Sequence, residues 1–235
     1  MSRIETSYTP LRQCSHLKES SRDTIIRDKI HSPTSLTRKN VAIEIGNLGN
    51  ETEKYLPELM YMLTDDGYKE VRAEAAKAIG NAGEAAEVAI KSLTEALKDP
   101  YEKVRLYSVK ALGFIGNKAK DSVPKITGVL SKDCFPHIRS NAAWALGLIG
   151  ENGEACTPFL IKALNDQYPL VRASAAGALG AFKNETKTFI DPLMTIFLSD
   201  KDYIVRKYAE WSLRGLQEPH IINFINYEKD KTGKV

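Results

Sequence analysis

Apolar residues recur along this chain with the spacing of a helix stripe, and the whole stripe repeats every 33 or 34 residues. Six arginines set the register: Arg38, Arg72, Arg105, Arg139, Arg172 and Arg206. Just before them stand Thr37, Val71, Val104, Ile138, Val171 and Val205. Three residues after them come Val41, Ala75, Ser108, Ala142, Ala175 and Ala209, and seven after, Ile45, Ile79, Leu112, Leu146, Leu179 and Leu213. Position +10 holds Leu48, Ala82, Ile115, Ile149, Phe182 and Leu216. At about 100° per residue, these positions share one face of a helix. Each unit is thus predicted to carry a helix, here helix B, of about 12 residues. Gly49, Gly83, Gly116 and Gly150 stand at +11, where a left-handed residue would end it.

A second apolar segment precedes each B helix and ends in Leu63, Leu97, Leu130, Leu164 or Leu198. Pro57, Pro124, Pro158 and Pro192 stand near the start of four of these, where a missing N–H costs little. This is helix A. A period near 34 residues means stacked hairpins, each burying its apolar face only against its neighbours. The fold class predicted is all-α, a right-handed α-solenoid of about six helical hairpins. It is expected to span residues 21–227, closed by a half-unit at 219–227. Residues 1–20 read as a flexible arm and 228–235 as a frayed tail.

Six residues before each arginine stands an acid: Asp66, Asp99, Asp133, Asp166 and Asp200, with Ser32 in the first unit. At the start of helix B an acid meets free N–H groups and the positive end of the helix dipole. Each of Arg72, Arg105, Arg139, Arg172 and Arg206 is expected to reach an acid of an adjacent unit, giving a ladder. Five equivalent copies are scaffold, not one catalytic site. Position +8 is Gly46, Gly80, Gly113, Gly147 and Gly180, letting helices approach closely, but Arg214 in the last unit. Position +4 likewise changes from small residues to Glu210. The last unit therefore reads as an end cap with a polar outer face.

Composition adds mostly exclusions. The 235 residues are 43% hydrophobic and 27% charged with a net charge of +3. That balance calls for neither nucleic acid nor membrane as partner. Cys14, Cys134 and Cys156 are odd in number and widely spaced, which suits reduced thiols and a cytoplasmic protein. The sequence offers no phosphate loop, no metal-ligand cluster and no paired nucleophile and base. No catalytic or metal residue is predicted.

The phrases "DPYEKVRLYSVKALGFIG", "DCFPHIRSNAAWALGLIG" and "DQYPLVRASAAGALGAFK" resemble the HEAT repeat of the short, phycobilisome-lyase-like type, over residues 32–217. The resemblance implies that helix B lines a concave, partner-binding surface. It also implies kinship with bilin-lyase subunits and phycobilisome-degradation factors. A related enzyme group holds iron with repeated His-Glu dipeptides, and none of His16, His31, His137 or His220 precedes a glutamate.

Positions +1, +2, +5 and +9 lie opposite the buried arc of helix B and are expected to face that groove. In the second unit they are Ala73, Glu74, Lys77 and Asn81. Further along they become Tyr107, Lys110 and Phe114, then Asn141, Trp144 and Leu148, then Ser174 and Gly177, then Tyr208 and Trp211. Both tryptophans occupy +5, two units apart, on either side of the small residue Gly177, where a bulky ring should be tolerated. Rigid aromatics beside a trough are anchors for a protein partner; the alternative is that the rings fold down as packing. Position −4 repeats an aromatic too: Tyr68, Tyr101, Phe135 and Tyr168, with Tyr203 one place later. That ridge either covers the neighbouring turn or contacts a partner.

The expected function is a non-catalytic adaptor that grips another protein on units three to six, with no cofactor. The alternative, implied by the resemblance, is a phycobilin lyase subunit or chaperone. Its partner would be a phycobiliprotein and its ligand a linear tetrapyrrole.

Overall fold

The structure, a computed structural model, describes residues 21–150, 153–182 and 186–232. The expected N-terminal arm, with Cys14, lies outside them, as do residues 233–235. Among the described residues there are thirteen α-helices and no strand. They pair as α1 (Ser21–Ile30) with α2 (Ser35–Gly46), and α3 (Leu56–Asp65) with α4 (Lys69–Asn81). The next pairs are α5 (Ile90–Ala96) with α6 (Glu102–Ile115) and α7 (Val123–Lys132) with α8 (Pro136–Ile149). The last are α9 (Gly153–Ala163) with α10 (Pro169–Leu179), and α11 (Thr186–Ser199) with α12 (Tyr203–Gly215). A closing helix, α13 (Pro219–Thr232), packs on α12 and runs on through most of the segment read as a tail. The fold is an all-α solenoid of six hairpins and a half-unit.

The stripe at −1, +3 and +7 is buried in every unit except at Thr37, and all of its apolar members but Ile138 join with the A-helix residues into one core. Leu63, Leu97, Leu130 and Leu164 are buried as expected. Leu198 is 50% exposed, because α13 packs mainly on α12 and leaves this side of α11 open. Pro57 and Pro124 open α3 and α7 after short 3-10 stretches. Pro158 and Pro192 instead fall inside α9 and α11, which begin further upstream, so each removes one helical donor.

Consecutive B helices pack along most of their length, while consecutive A helices touch more sparsely. The seam has a simple rule. The glycine at +8 faces position +6 of the next unit: Gly46 on Ala78, Gly80 on Ala111, Gly113 on Ala145, Gly147 on Ala178 and Gly180 on Ser212. A Cβ at these glycines would stand between 2.5 and 3.3 Å from its nearest neighbour, so only hydrogen fits comfortably. Ser212 also donates to the carbonyl oxygen of Ala176 at 2.8 Å, tying the last seam with a buried hydrogen bond.

The ladder has five rungs and runs one way, each pointing to the following unit. Arg38 therefore takes part, while Arg206, expected to reach an acid of an adjacent unit, meets no carboxylate among the described residues. Nε and Nη2 of Arg38, Arg72, Arg105, Arg139 and Arg172 fork onto Asp66, Asp99, Asp133, Asp166 and Asp200, all at 2.6–3.1 Å. Nη1 turns back to the backbone carbonyl of the same unit's acid position, as from Arg139 to Asp133 at 2.8 Å. In the first unit that carbonyl belongs to Ser32, at 2.7 Å. Among the described residues no earlier arginine reaches the Ser32 side chain, so an acid is not required there.

The acid acts differently from a helix cap. Asp66, Asp99, Asp133 and Asp166 each accept from the N–H two residues on, at 2.8–3.0 Å, and that residue is itself the N-cap. The carboxylate is locked in a local turn ahead of the helix rather than bonded to its first turn. Only in α12 does a side chain cap these B helices: Asp202 accepts from Ile204 and Val205.

The glycines at +11 all have positive φ, from 56° to 70°. At Gly116 and Gly150, however, ψ is −142° and −53°, outside the left-handed helical well expected for a helix stop. Only glycine enters those regions without strain.

The last unit is closed by a buried charge rather than an open polar face. Glu210 is buried and accepts from Arg214 at 2.9 Å and from Lys229 of α13 at 3.1 Å, with Lys207 at 3.5 Å. Burial alone would raise its pKa, but bonds from Arg214 and Lys229 outweigh it and hold the carboxyl below its ordinary value.

Candidate functional site

The residues expected to form the groove lie on one side of the B helices, but they are not equally free. Position +1 departs from expectation: Ala73, Ser140 and Ala173 are buried, because this position lies near the inter-unit seam. Positions +2, +5 and +9 remain at least partly open. Asn141 is half-buried and its amide donates to the carbonyl oxygen of His137 at 2.7 Å. Ser174 shares a 2.8 Å hydrogen bond with Ser140 of the preceding unit. These two polar side chains are engaged in the scaffold.

The aromatic groups are nested across units. Trp144 is 36% exposed and meets Phe114 edge-on, ring centres 5.2 Å apart at 80°. Its ring also closes over Gly113, so it folds back on the preceding unit and forms an edge-to-face pair, not a lone anchor. Tyr107 and Lys110 are half-buried, and the Lys77 ammonium sits 5.9 Å from the Tyr107 ring centre. Phe114, Leu148 and Tyr208 are each exposed, and Trp211 is 68% exposed. Exposed apolar side chains at related positions of several units are a surface to which a partner can add.

The trough at Gly177 is shallower than expected. The Tyr208 ring leans onto it, with Cδ1 3.1 Å from where a Cβ would stand. A tryptophan introduced at Gly177 must therefore displace Tyr208, contrary to the tolerance read from +5 alone.

The turn ridge has a structural account. Arg38 lies over Tyr68 at 5.5 Å, Arg105 over Phe135 at 5.9 Å and Arg139 over Tyr168 at 5.6 Å. Each such ring stacks on the arginine of the unit before it, shielding the ladder from one side. The sequence signal was present: the ring follows that arginine at a fixed spacing of 29 or 30 residues. Sequence reading missed the small residue at +6 and the Asn81 amide bonded to the carbonyl oxygen of Gly46 at 2.8 Å.

Among the described residues no group of His, Cys, Asp and Glu could hold a metal ion, and no helix is long and apolar enough to cross a membrane. Cys134 is exposed and Cys156 buried.

Stacked helical hairpins with a repeating arginine–acid ladder define an α-solenoid scaffold. The family model for HEAT repeats matches residues 25–102, 90–156 and 152–214, and the chain belongs to the HEAT-repeat family. No curated protein matches the chain significantly. Similar solved structures include an engineered protein with TM-score 0.63 and 21% identity, covering 82% of this chain and 95% of that one. Another is the complex of CpcE and CpcF of phycocyanin lyase from Nostoc sp. PCC7120, with TM-score 0.60 and 19% identity over 90% of this chain and 82% of that one. A third, from a structure describing microtubule plus end tracking by XMAP215, CLIP-170 and EB1, has TM-score 0.52 and 19% identity, over 80% and 88%. These likenesses are in fold.

Proposed function

We propose that this protein is a non-catalytic adaptor that grips a protein segment on the B-helix face of units three to six. The observation that carries the reading is the run of exposed apolar groups Phe114, Trp144, Leu148, Tyr208 and Trp211 on a face whose second unit is polar. The Gly–Ala seams bring the B helices close together, which supports reading their side as the inner, partner-facing one. The Phe114–Trp144 pair supplies a pre-ordered anchor, and Trp211 a second one that loses rotamer freedom on binding. HEAT repeats as a class serve protein–protein interaction, and the test is retention of partners. Partners retained from the source cells by the wild type should be lost with Leu148→Asp plus Trp211→Asp, while Glu74→Ala in the polar second unit keeps them. Equal retention by both variants would move the binding surface elsewhere.

A second reading, a phycobilin lyase subunit or chaperone, is supported by the fold likeness to the CpcE–CpcF complex. It would use the same flat aromatic groups against a linear tetrapyrrole. Mixing the protein with a bilin and recording the visible spectrum tests it: a red-shifted band lost in the Trp144→Ala, Trp211→Ala pair supports it, and an unchanged spectrum removes it.

A further inference from the structure

The ladder ends on an arginine whose seat is built but meets no carboxylate among the described residues. Arg206 donates Nη1 to the carbonyl oxygens of Asp200 and Lys201 at 2.8 and 3.2 Å. Arg105 and Arg172 hold their own carbonyl pairs the same way, at 2.9 and 3.3 Å and at 3.0 and 3.4 Å. In those rungs the held guanidinium points Nε and Nη2 at an aspartate of the next unit. At Arg206 no carboxylate meets that edge among the described residues. The group is further steadied by Tyr203, whose ring centre lies 5.7 Å from it, and Lys207 adds a second positive charge beside the same ring. A guanidinium fixed on one side and open on the other needs no further ordering to take a carboxylate in bidentate fashion.

We infer that Arg206 is a binding seat for a carboxylate of a partner protein, presented on a turn of the form Asp-x-aromatic. The shape of the occupant is read from the protein's own rungs. Asp66-Gly67-Tyr68, Asp99-Pro100-Tyr101, Asp133-Cys134-Phe135 and Asp166-Gln167-Tyr168 all have it. In each, the third residue's N–H holds the carboxylate. In three of the four, the ring stacks on the incoming arginine. A second copy of this chain is a poor occupant, because its first unit offers Ser32-Pro33-Thr34 at the matching place. A whole further repeat is also disfavoured: the glycine seat at +8 is Arg214, committed to Glu210 and to Asn226. The last unit thus closes the helix seam and leaves the rung open, which suits a short turn. This seat is independent of the B-helix face, and its failure would leave that reading untouched.

The probe is a capped hexapeptide with the sequence of residues 165–170, Asn-Asp-Gln-Tyr-Pro-Leu, and its Asp→Asn counterpart. The full chain, labelled with 15N-arginine, is titrated while the Arg206 Nε–Hε signal is followed, assigned through Arg206→Lys. The aspartate peptide should shift that signal saturably, with affinity roughly in the millimolar range. The asparagine peptide should bind about tenfold or more weakly. In Arg206→Lys and Arg206→Gln, which break no internal rung and should fold normally, the peptide should no longer perturb the neighbouring Tyr203 amide. The inference is overturned by no saturable shift at several millimolar peptide, or by equal shifts from the two peptides. It is overturned too if the free protein already shows Arg206 at the position of the filled rung of Arg139, since the chain itself would then occupy the seat.

Discussion

Arg139 holds Asp166 of the next repeat with two nitrogens, at 2.8 and 2.9 Å, and both side chains are largely shielded from solvent. Each rung therefore joins two units and also fixes its own turn. Removing the arginine leaves the Asp166 carboxylate and the Asp133 carbonyl without that partner. Arg139→Ala should cost about 1–3 kcal/mol, read as a lower urea midpoint. Arg206→Ala removes a side chain with no carboxylate partner among the described residues and should cost well under half as much. Arg38→Ala, at the end of the stack, should cost less than Arg139→Ala, since only one neighbour depends on it. Equal losses at all three would mean that the rungs add nothing to the unit interfaces.

Acid should weaken the stack in a definite window. Burial alone would raise the pKa of Asp66 and Asp166, but bonds from Arg38 or Arg139 and from a backbone N–H hold both below the ordinary 3.8. At Asp200 the bond from Arg172 is the largest influence, and it too lowers the value. Carboxyls depressed on folding stabilise above their unfolded value and lose that contribution as pH falls through the folded value. Stability should thus be level near neutrality and fall from about pH 4 downward. Urea titrations at stepped pH check this, and Asp166→Asn should flatten part of the slope while lowering the plateau.

Alkali has its own signature. Tyr55 is buried and donates to Asp23, and burial first, then that bond, push its pKa up to about 12. A raised value favours the protonated phenol in the fold, so its contribution is full below about pH 10 and is lost toward 12. Tyr55→Phe should be less stable at pH 7 but lose less stability between pH 10 and 12. A parallel decline of both proteins over that interval would assign the loss to other groups.

How much of this was legible without coordinates follows from where the information lies. The helix pairs and the core stripe repeat in six copies and the arginine–acid pairing in five, so chance variation averages out. The small residue at +6 is periodic too and was passed over; the rest of what escaped was not periodic. The Trp144 ring could lean either way from +5; its contact with Phe114 depends on χ angles, which spacing does not encode. The burial of Glu210 depends on Lys229, supplied by a helix outside the repeat. Pro158 and Pro192 matched the pattern, but the start of α9 and α11 moved past them.

Seam glycines give a graded test. A methyl at Gly80 would meet Ala111 at 3.3 Å, while at Gly180 it would meet Ser212 Oγ at 2.5 Å and Cα at 2.9 Å. Alanine is the better helix former by about 1 kcal/mol, which offsets mild crowding. Gly80→Ala should therefore shift stability by less than about 1 kcal/mol. Gly180→Ala should cost about 1–3 kcal/mol, since backbone must give way and the Ser212 bond to Ala176 is strained. A double change, Gly180→Ala with Ser212→Gly, should recover part of the loss if the seam contact is its cause.

The two tryptophans, equivalent in sequence, should separate in solution. Trp211 is 68% exposed, and Trp211→Ala should change stability by no more than about 0.5 kcal/mol. Trp144 closes over Gly113 and against Phe114, so Trp144→Ala should cost about 1–2 kcal/mol. Single-tryptophan proteins made by Trp144→Phe or Trp211→Phe read this directly through fluorescence. Emission from Trp211 should be red-shifted and readily quenched by iodide, and that from Trp144 bluer and better protected. When a true partner is added, quenching at Trp211 should fall most, because its exposed ring has the most surface left to bury. If the partner protects Trp144 alone, binding is centred on the Phe114 pair and the sixth unit lies outside the footprint. If neither indole is protected while the partner is bound, the B-helix face is not where it sits.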